Sequence, residues 1–193
     1  ALEVHLVKIY NRRYTGSKYK LISWIFELLH QHCTDCNSFF DVFGGTGVVT
    51  YGALESYNNF IVNDFLYSNE VIYRAFFEQE EFDKDKLNVI TNNYNKIGKI
   101  DLEDNYVSDN YGDKYFSFND AKIIGYIRQD IEDKKKAGVL NKKEYNILLA
   151  SLLYSFDKIS NTVGHYEAYI KGKQIKDEFV FSLVEPEILE DKN

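Results

Sequence analysis

The chain has no methionine, one proline (Pro186), one tryptophan and two cysteines in 193 residues. A lone proline excludes proline-rich linkers and stalks, and no other low-complexity tract or internal repeat takes their place. Two cysteines cannot staple a disulfide-built scaffold. No apolar run approaches the roughly 18–20 residues of a membrane span, and no signal-peptide pattern opens the chain. A cytoplasmic protein with no membrane partner is therefore expected. An excess of basic residues is missing too: 23 Lys and Arg stand against 30 Asp and Glu, a formal charge of −7. That weighs against a nucleic-acid interface spread over the whole surface, which needs clustered cations. The acids are local, however, gathering at Glu78–Asp85, Asp101–Asp113 and Glu185–Asp191, while Arg12, Arg13 and Lys18 lead the N-terminal segment. A chain that begins at Ala1 without any methionine is expected to be part of a longer gene product.

What the sequence does have is enough apolar residue (45%) for one globular core and a run that carries chemistry. Phe39-Phe40-Asp41-Val42-Phe43-Gly44-Gly45-Thr46-Gly47-Val48-Val49 reads as a buried strand breaking into a glycine turn that opens a helix. Glycines at Gly45 and Gly47 allow a tight turn and close approach of a ligand to the backbone. The helix that follows offers unpaired N–H groups to an electron-rich partner. A dinucleotide fingerprint would need a third glycine at position 50, where Thr50 stands. A second short strand, Phe60-Ile61-Val62-Asn63, ends in Asp64, 17 residues after Gly47. That is close to the roughly 20-residue offset at which a carboxylate accepts hydrogen bonds from ribose hydroxyls.

Asp41-x-Phe43-x-Gly45-x-Gly47 resembles the first motif of S-adenosylmethionine-dependent methyltransferases. Upstream, Arg13-Tyr14-Thr15-Gly16-Ser17-Lys18 precedes a helical pattern and is similar to the N-terminal motif of the Dam-like, alpha-class DNA adenine-N6 methyltransferases of type II restriction-modification systems. The resemblance implies a Rossmann-like α/β methyltransferase fold, S-adenosyl-L-methionine as cofactor, and double-stranded DNA with an adenine target as partner. It carries Tyr14, Gly16, Ser17 and Lys18 over as residues enclosing the methionine portion, beside Asp41, Phe43, Gly45, Gly47 and Asp64. An ammonium near a helix N-terminus suits the cofactor's carboxylate. Each residue alone has a plain alternative: Tyr14 a core aromatic, Arg12 and Arg13 a solvated pair, Asp64 a cap for the helix beginning near Tyr67. Joint order and spacing favour the methyltransferase.

One departure is severe. The family's catalytic loop is Asp/Asn-Pro-Pro-Tyr/Phe, and no Pro-Pro dipeptide occurs here. No catalytic residue is assigned. The fold is expected to be incomplete, the chain inactive alone, and a C-terminal half or complementing chain a required partner. The alternatives are a methyltransferase of RNA or a small molecule, or a non-catalytic cofactor-binding module. Losing the other half is expected to expose sheet edge and apolar surface and to invite self-association.

Periodicity predicts helices near Tyr19–His32, Val48–Ser56, Ser68–Glu78, within Glu81–Ile100, Asn119–Ala137 and Lys142–Phe156, with strands at Ser38–Val42, Phe60–Asn63 and Phe179–Leu183. Asp101–Phe116 reads as a loop. Ala137-Gly138 should close one helix and Asn141 cap the next. Three regions are expected: a cofactor-binding core over 1–80, a mostly helical insertion with possible target recognition over 81–176, and a returning strand over 177–193. Arg12, Arg13, Lys158, Asn161, Tyr166 and Lys171 are the DNA-contact candidates, the last four in a polar, aromatic segment that could equally be a solvent loop. Cys33-x-x-Cys36 beside His30 and His32 lacks the second ligand pair of a structural zinc site, so no metal is expected.

Overall fold

A computed structural model describes residues 7–13, 16–99 and 101–186. A 3₁₀ turn at Tyr19–Leu21 leads into α1 (Ile22–His32), then β1 (Ser38–Asp41), α2 (Val48–Ala53), β2 (Asn59–Val62), α3 (Tyr67–Phe77), α4 (Lys84–Tyr94), α5 (Tyr106–Tyr111), α6 (Phe118–Lys136) and α7 (Lys142–Ile159). This is a mixed helix and strand architecture with a small sheet. β1 and β2 pair in parallel, Ser38 to Asn59 through Asp41 to Val62, so both strands end side by side. Among the described residues no helix is long and apolar enough to cross a membrane.

Strand alternation decides which face is covered. Phe39 packs against Phe26, Ala53 and Tyr57 in a small core that ties α1 and α2 to the sheet. Phe40 and Ile61, paired across the ladder, face the other way and remain 57% and 63% exposed. A larger core joins α3, α4, α6 and α7 through Ile72, Phe76, Leu87, Ile127, Ile131, Ile147 and Leu148. α3 and α7 are its principal packed pair.

Most expected helices form, and the two predicted strands of the core form within a residue of their expected ends. Asn141 caps α7 in a reciprocal box, accepting the Glu144 N–H (2.8 Å) while Glu144 accepts its own (2.9 Å). Gly138 adopts φ +71 and closes α6. Three expectations are corrected. α2 stops at Ala53, three residues short of Ser56. The expected loop at 101–116 contains α5, because the Asn105 side chain accepts the Val107 and Ser108 N–H groups and Ser108 returns the bond. Phe179–Leu183 is not a ladder strand. Its backbone is satisfied by helix side chains: Asp120 accepts from Glu178 and Phe179, Asn95 bonds both polar groups of Phe181, and Ser155 accepts from Ser182. Val7 and Val184 form an isolated parallel bridge beside it. Phe181 and Leu183 are buried in the larger core, so an apolar alternation that reads as a strand is here an extended plug between helices.

Candidate cofactor site

The two parallel strands deliver loops 42–47 and 63–66 to the same edge. Open α/β sheets bind ligands beyond the carboxyl ends of their strands. The loops are stitched together by the backbone: Asn63 N–H donates to the Asp41 carbonyl (2.8 Å) and Gly44 N–H to the Asn63 carbonyl (2.9 Å). The Asn63 amide adds a bond to the Val42 carbonyl (2.9 Å).

Gly45 is clamped from both sides. Its N–H donates to Asp64 Oδ2 (2.8 Å), and its carbonyl accepts from the Tyr73 hydroxyl (2.8 Å). Gly45 and Gly47 sit at φ +54 and +77, in the left-handed region that favours glycine. Around Gly45 a side chain would meet, among the described residues, only the Phe43 carbonyl, at 3.9 Å, so that side of the turn is open to them. Around Gly44 it would stand 2.6 Å from Val62 Cγ2 and 2.8 Å from the Tyr73 hydroxyl. Gly44, outside the motif read from the sequence, is thus the residue that lets the turn lie on β2 and α3.

Asp64 does two jobs. Oδ1 accepts the Leu66 N–H and the Asn69 amide, both at 2.9 Å, which fixes the entry to α3. Burial pushes its pKa up, but the N–H donors of Leu66 and Gly45 and the Asn69 amide outweigh it and hold the carboxyl below its usual range. A carboxylate offers about four acceptor positions. Gly45, Leu66 and Asn69 take three of them, and the Phe65 N–H also bonds the carboxylate.

The remaining cofactor candidates fall as follows. Tyr14 lies outside the described residues. Gly16 turns at φ +89, and the Lys18 ammonium folds back onto its carbonyl (2.7 Å). Ser17 accepts a long bond from the Tyr19 N–H (3.4 Å). Gly16 and Ser17 do not open an α-helix directly, since the 3₁₀ turn intervenes. Asp41 is engaged by the Thr50 hydroxyl (2.9 Å), locking β1 to α2. Phe43 projects into solvent at 86% exposure, and Phe65, which sequence reasoning passed over, is 98% exposed next to Asp64. The residues Val7–Asn11 abut the turn: a side chain at Gly47 would meet Ile9 Cδ1 at 3.0 Å.

The DNA candidates divide. Arg12 turns inward, donating to Asp157 Oδ2 (3.2 Å) and Asn69 Oδ1 (2.7 Å), with both members of the ion pair 8% exposed. Arg13 donates to the Ser160 and Thr162 carbonyls. Asn161 is buried, its amide donating to the carbonyls of Lys114 and Ile170. Tyr166 donates to Asp157 Oδ1 (2.8 Å) and packs against Tyr115, Phe116 and Phe156. Lys158 and Lys171 are exposed. Sequence reasoning missed Asn69 and Tyr73; their helical spacing on α3 reads only as core. Cys33 and Cys36 are free thiols, and His30 lies 3.1 Å from Ser56 Oγ. Among the described residues no three His, Cys, Asp or Glu converge as a metal site.

A family model for D12 class N6 adenine-specific DNA methyltransferases matches residues 14–192. Modification methylase LlaI of Lactococcus lactis subsp. lactis is 33% identical over 171 residues, which cover 82% of this chain and 27% of that protein. Type II methyltransferase M.CviAII of Paramecium bursaria Chlorella virus 1 is 35% identical over 164 residues, 82% of this chain and 49% of that protein. Type II methyltransferase M.NlaIII of Neisseria lactamica is 27% identical over 170 residues, again 82% of this chain and 49% of the relative. The chain thus spans between about a quarter and about half the length of these relatives. No solved structure matches.

Proposed function

The chain belongs to the family of D12 class N6 adenine-specific DNA methyltransferases, and we propose that it forms the S-adenosyl-L-methionine-binding part of a site-specific DNA adenine-N6 methyltransferase. The observation that carries this reading is the clamped turn at Gly45, open on one side among the described residues and bordered by the Asp64 carboxylate. A carboxylate acceptor fits a ribose hydroxyl. Asp64 would hold a ribose hydroxyl, Phe43 and Phe65 would supply apolar surface for the adenine, and Gly16–Lys18 with Tyr14 would enclose the methionine end. The cofactor supplies an electrophilic methyl group; the protein supplies position and electrostatics. Residues of this chain bind and orient it, and a target adenine flipped from duplex DNA would meet a Pro-Pro loop contributed by sequence outside this chain.

The helical region over 81–176 is the proposed target-recognition part. Its segment after α7 presents exposed Lys158 and Lys171, suited to phosphate contacts. Arg12 and Asn161 support that segment from within, and Arg13 bonds it while remaining exposed. The uncovered sheet face of Phe40 and Ile61 is where the remainder of the methyltransferase, or a complementing chain, would complete the sheet. Methylation of RNA or a small molecule leaves the Arg13–Lys18 segment without a role.

Calorimetric titration with S-adenosyl-L-methionine tests the reading. Saturable one-site binding by the wild type, abolished in Gly45→Val, is expected. A wild type that binds nothing refutes it. Methyl incorporation at adenine in duplex DNA by the intact gene product tests the activity itself.

A further inference from the structure

A continuous line of hydrogen bonds leaves the glycine turn and ends in the segment after α7. Gly45 N–H and the Asn69 amide both donate to Asp64. The Asn69 carbonyl oxygen accepts from Arg12, and Arg12 also donates to Asp157. Asp157 accepts the Tyr166 hydroxyl. The Asn69 amide can point only one way, since a guanidinium is purely a donor and a carboxylate purely an acceptor. Asn69 is fully buried and Asp157 nearly so. Arg13 runs parallel to this line, donating to the carbonyls of Ser160 and Thr162. Arg12 is shielded from solvent while Arg13 stays exposed; both attach the segment after α7 to the N-terminal motif.

We propose that Arg12 and Asn69 are positioning residues that set the Asp64 carboxylate at the glycine turn and couple occupation of that turn to the order of the segment 160–171. The proposal rests on the cofactor reading above. A hydroxyl donating to Asp64 Oδ2 restrains the carboxylate. Buried polar chains polarise one another and have no water to substitute for a lost partner, so that restraint passes to Asn69, Arg12 and Asp157. The segment proposed to face DNA is then most ordered when the methyl donor is in place, which favours target engagement by the loaded protein. Linkage makes the effect reciprocal: loosening the far end at Tyr166 must weaken binding at the near end by the same factor.

The test combines calorimetry and backbone amide hydrogen exchange with S-adenosyl-L-homocysteine as probe, on the wild type, Asn69→Leu and Tyr166→Phe. Wild-type exchange over 160–171 should slow by about fivefold or more on binding, the lower end of typical coupling, with α6 unchanged. In Asn69→Leu that response should vanish. Tyr166→Phe keeps the ring and loses only the hydroxyl; it should weaken probe binding without touching the turn, which a purely local packing role for Arg12 and Asn69 would not produce. Binding by the wild type with unchanged exchange over 160–171 overturns the coupling and leaves the cofactor reading intact. No binding by the wild type overturns both. The wild-type response needs no variant, so misfolding of Asn69→Leu would not shield the proposal.

Discussion

Replacing Gly44 with alanine probes the geometry at its tightest point. The new methyl would stand 2.6 Å from Val62 Cγ2 and 2.8 Å from the Tyr73 hydroxyl, both closer than van der Waals contact. Val62 is held in register by its pairing with Asp41, and the Tyr73 hydroxyl is held by the Gly45 carbonyl at 2.8 Å. Relief must therefore come from a strand or from a broken hydrogen bond. Overpacking of this kind costs about 1–3 kcal/mol, and loss of the Tyr73 bond adds about 0.5–1.5 kcal/mol. The sum, about 1.5–4.5 kcal/mol, corresponds to a fall in Tm of roughly 3–18 °C for a domain of this size. Two controls separate the causes. Among the described residues, Gly98→Ala meets nothing nearer than Ile123 Cδ1 at 3.8 Å and should be near neutral. Gly138→Ala has open space among the described residues at φ +71 and should show the left-handed backbone cost alone, about 1–2 kcal/mol. Tyr73→Phe removes one of the two obstructing atoms, so Gly44→Ala should cost less in that background, with a coupling of about 0.5 kcal/mol or more. Thermal melts of the four single variants and the double variant suffice. A Gly44→Ala protein within about 0.5 kcal/mol of wild type, or strict additivity with Tyr73→Phe, would refute the packing argument.

Three other outcomes are expected. Asp64 has its pKa held below the usual 3.8, so its stabilising contribution is complete above the ordinary carboxylate range and is lost as pH falls through the lower folded value. The Tm gap between wild type and Asp64→Asn should stay constant from about pH 7 to 5 and narrow only below about pH 4; a gap that narrows already at pH 6 contradicts this. Lys143 Nζ lies against the carbonyls of Arg74, Ala75 and Glu78 at the end of α3, and burial lowers its pKa to about 8 despite Glu78 and Glu80. Unfolding takes up a proton between that value and the ordinary 10.5, so wild type should gain on Lys143→Met between about pH 8 and 10 in paired melts; a gap independent of pH refutes the assignment. In the intact gene product, Lys158→Ala with Lys171→Ala should flatten the plot of log affinity for duplex DNA against log salt by about two units of slope, near one per phosphate contact. An unchanged slope removes those lysines from the interface.

The candidate cofactor site is legible where its geometry is local. Asp41, the glycine turn and Asp64 lie within one strand–turn–helix–strand unit, and short-range spacing is enough to place them at adjacent strand ends. What escaped was set by partners far along the chain. Arg12 reads as a surface cation because sequence shows the charge and not the acceptor, and the carbonyl partners of the exposed Arg13 are hidden for the same reason; those acceptors are 145 to 149 residues away, in Asp157, Ser160 and Thr162. Tyr73 and Asn69 match the apolar period of α3 and hide in it, although their polar atoms are what fix Gly45 and Asp64. The Phe179–Leu183 segment failed differently. Its alternation correctly marks which residues are buried, but alternation cannot tell a sheet neighbour from a row of helix side chains offering Asp120, Asn95 and Ser155 as acceptors.

The inward Arg12 also changes what the net charge means. With −7 overall, the chain was expected to reserve its N-terminal cations for DNA, yet Arg12 is occupied by the protein itself, and the exposed Arg13 also bonds two of the protein's carbonyls. Burying a guanidinium is costly unless it is both paired and hydrogen-bonded. Arg12 meets that condition with a carboxylate on one side and an amide oxygen on the other. Removing Asp157 alone would strand a buried cation, whereas removing Arg12 alone would strand a buried carboxylate beside Tyr166. Arg12 thus belongs with Asp64 in the architecture of the proposed site, and phosphate contacts by this part of the molecule fall to exposed cations such as Arg13, Lys158 and Lys171.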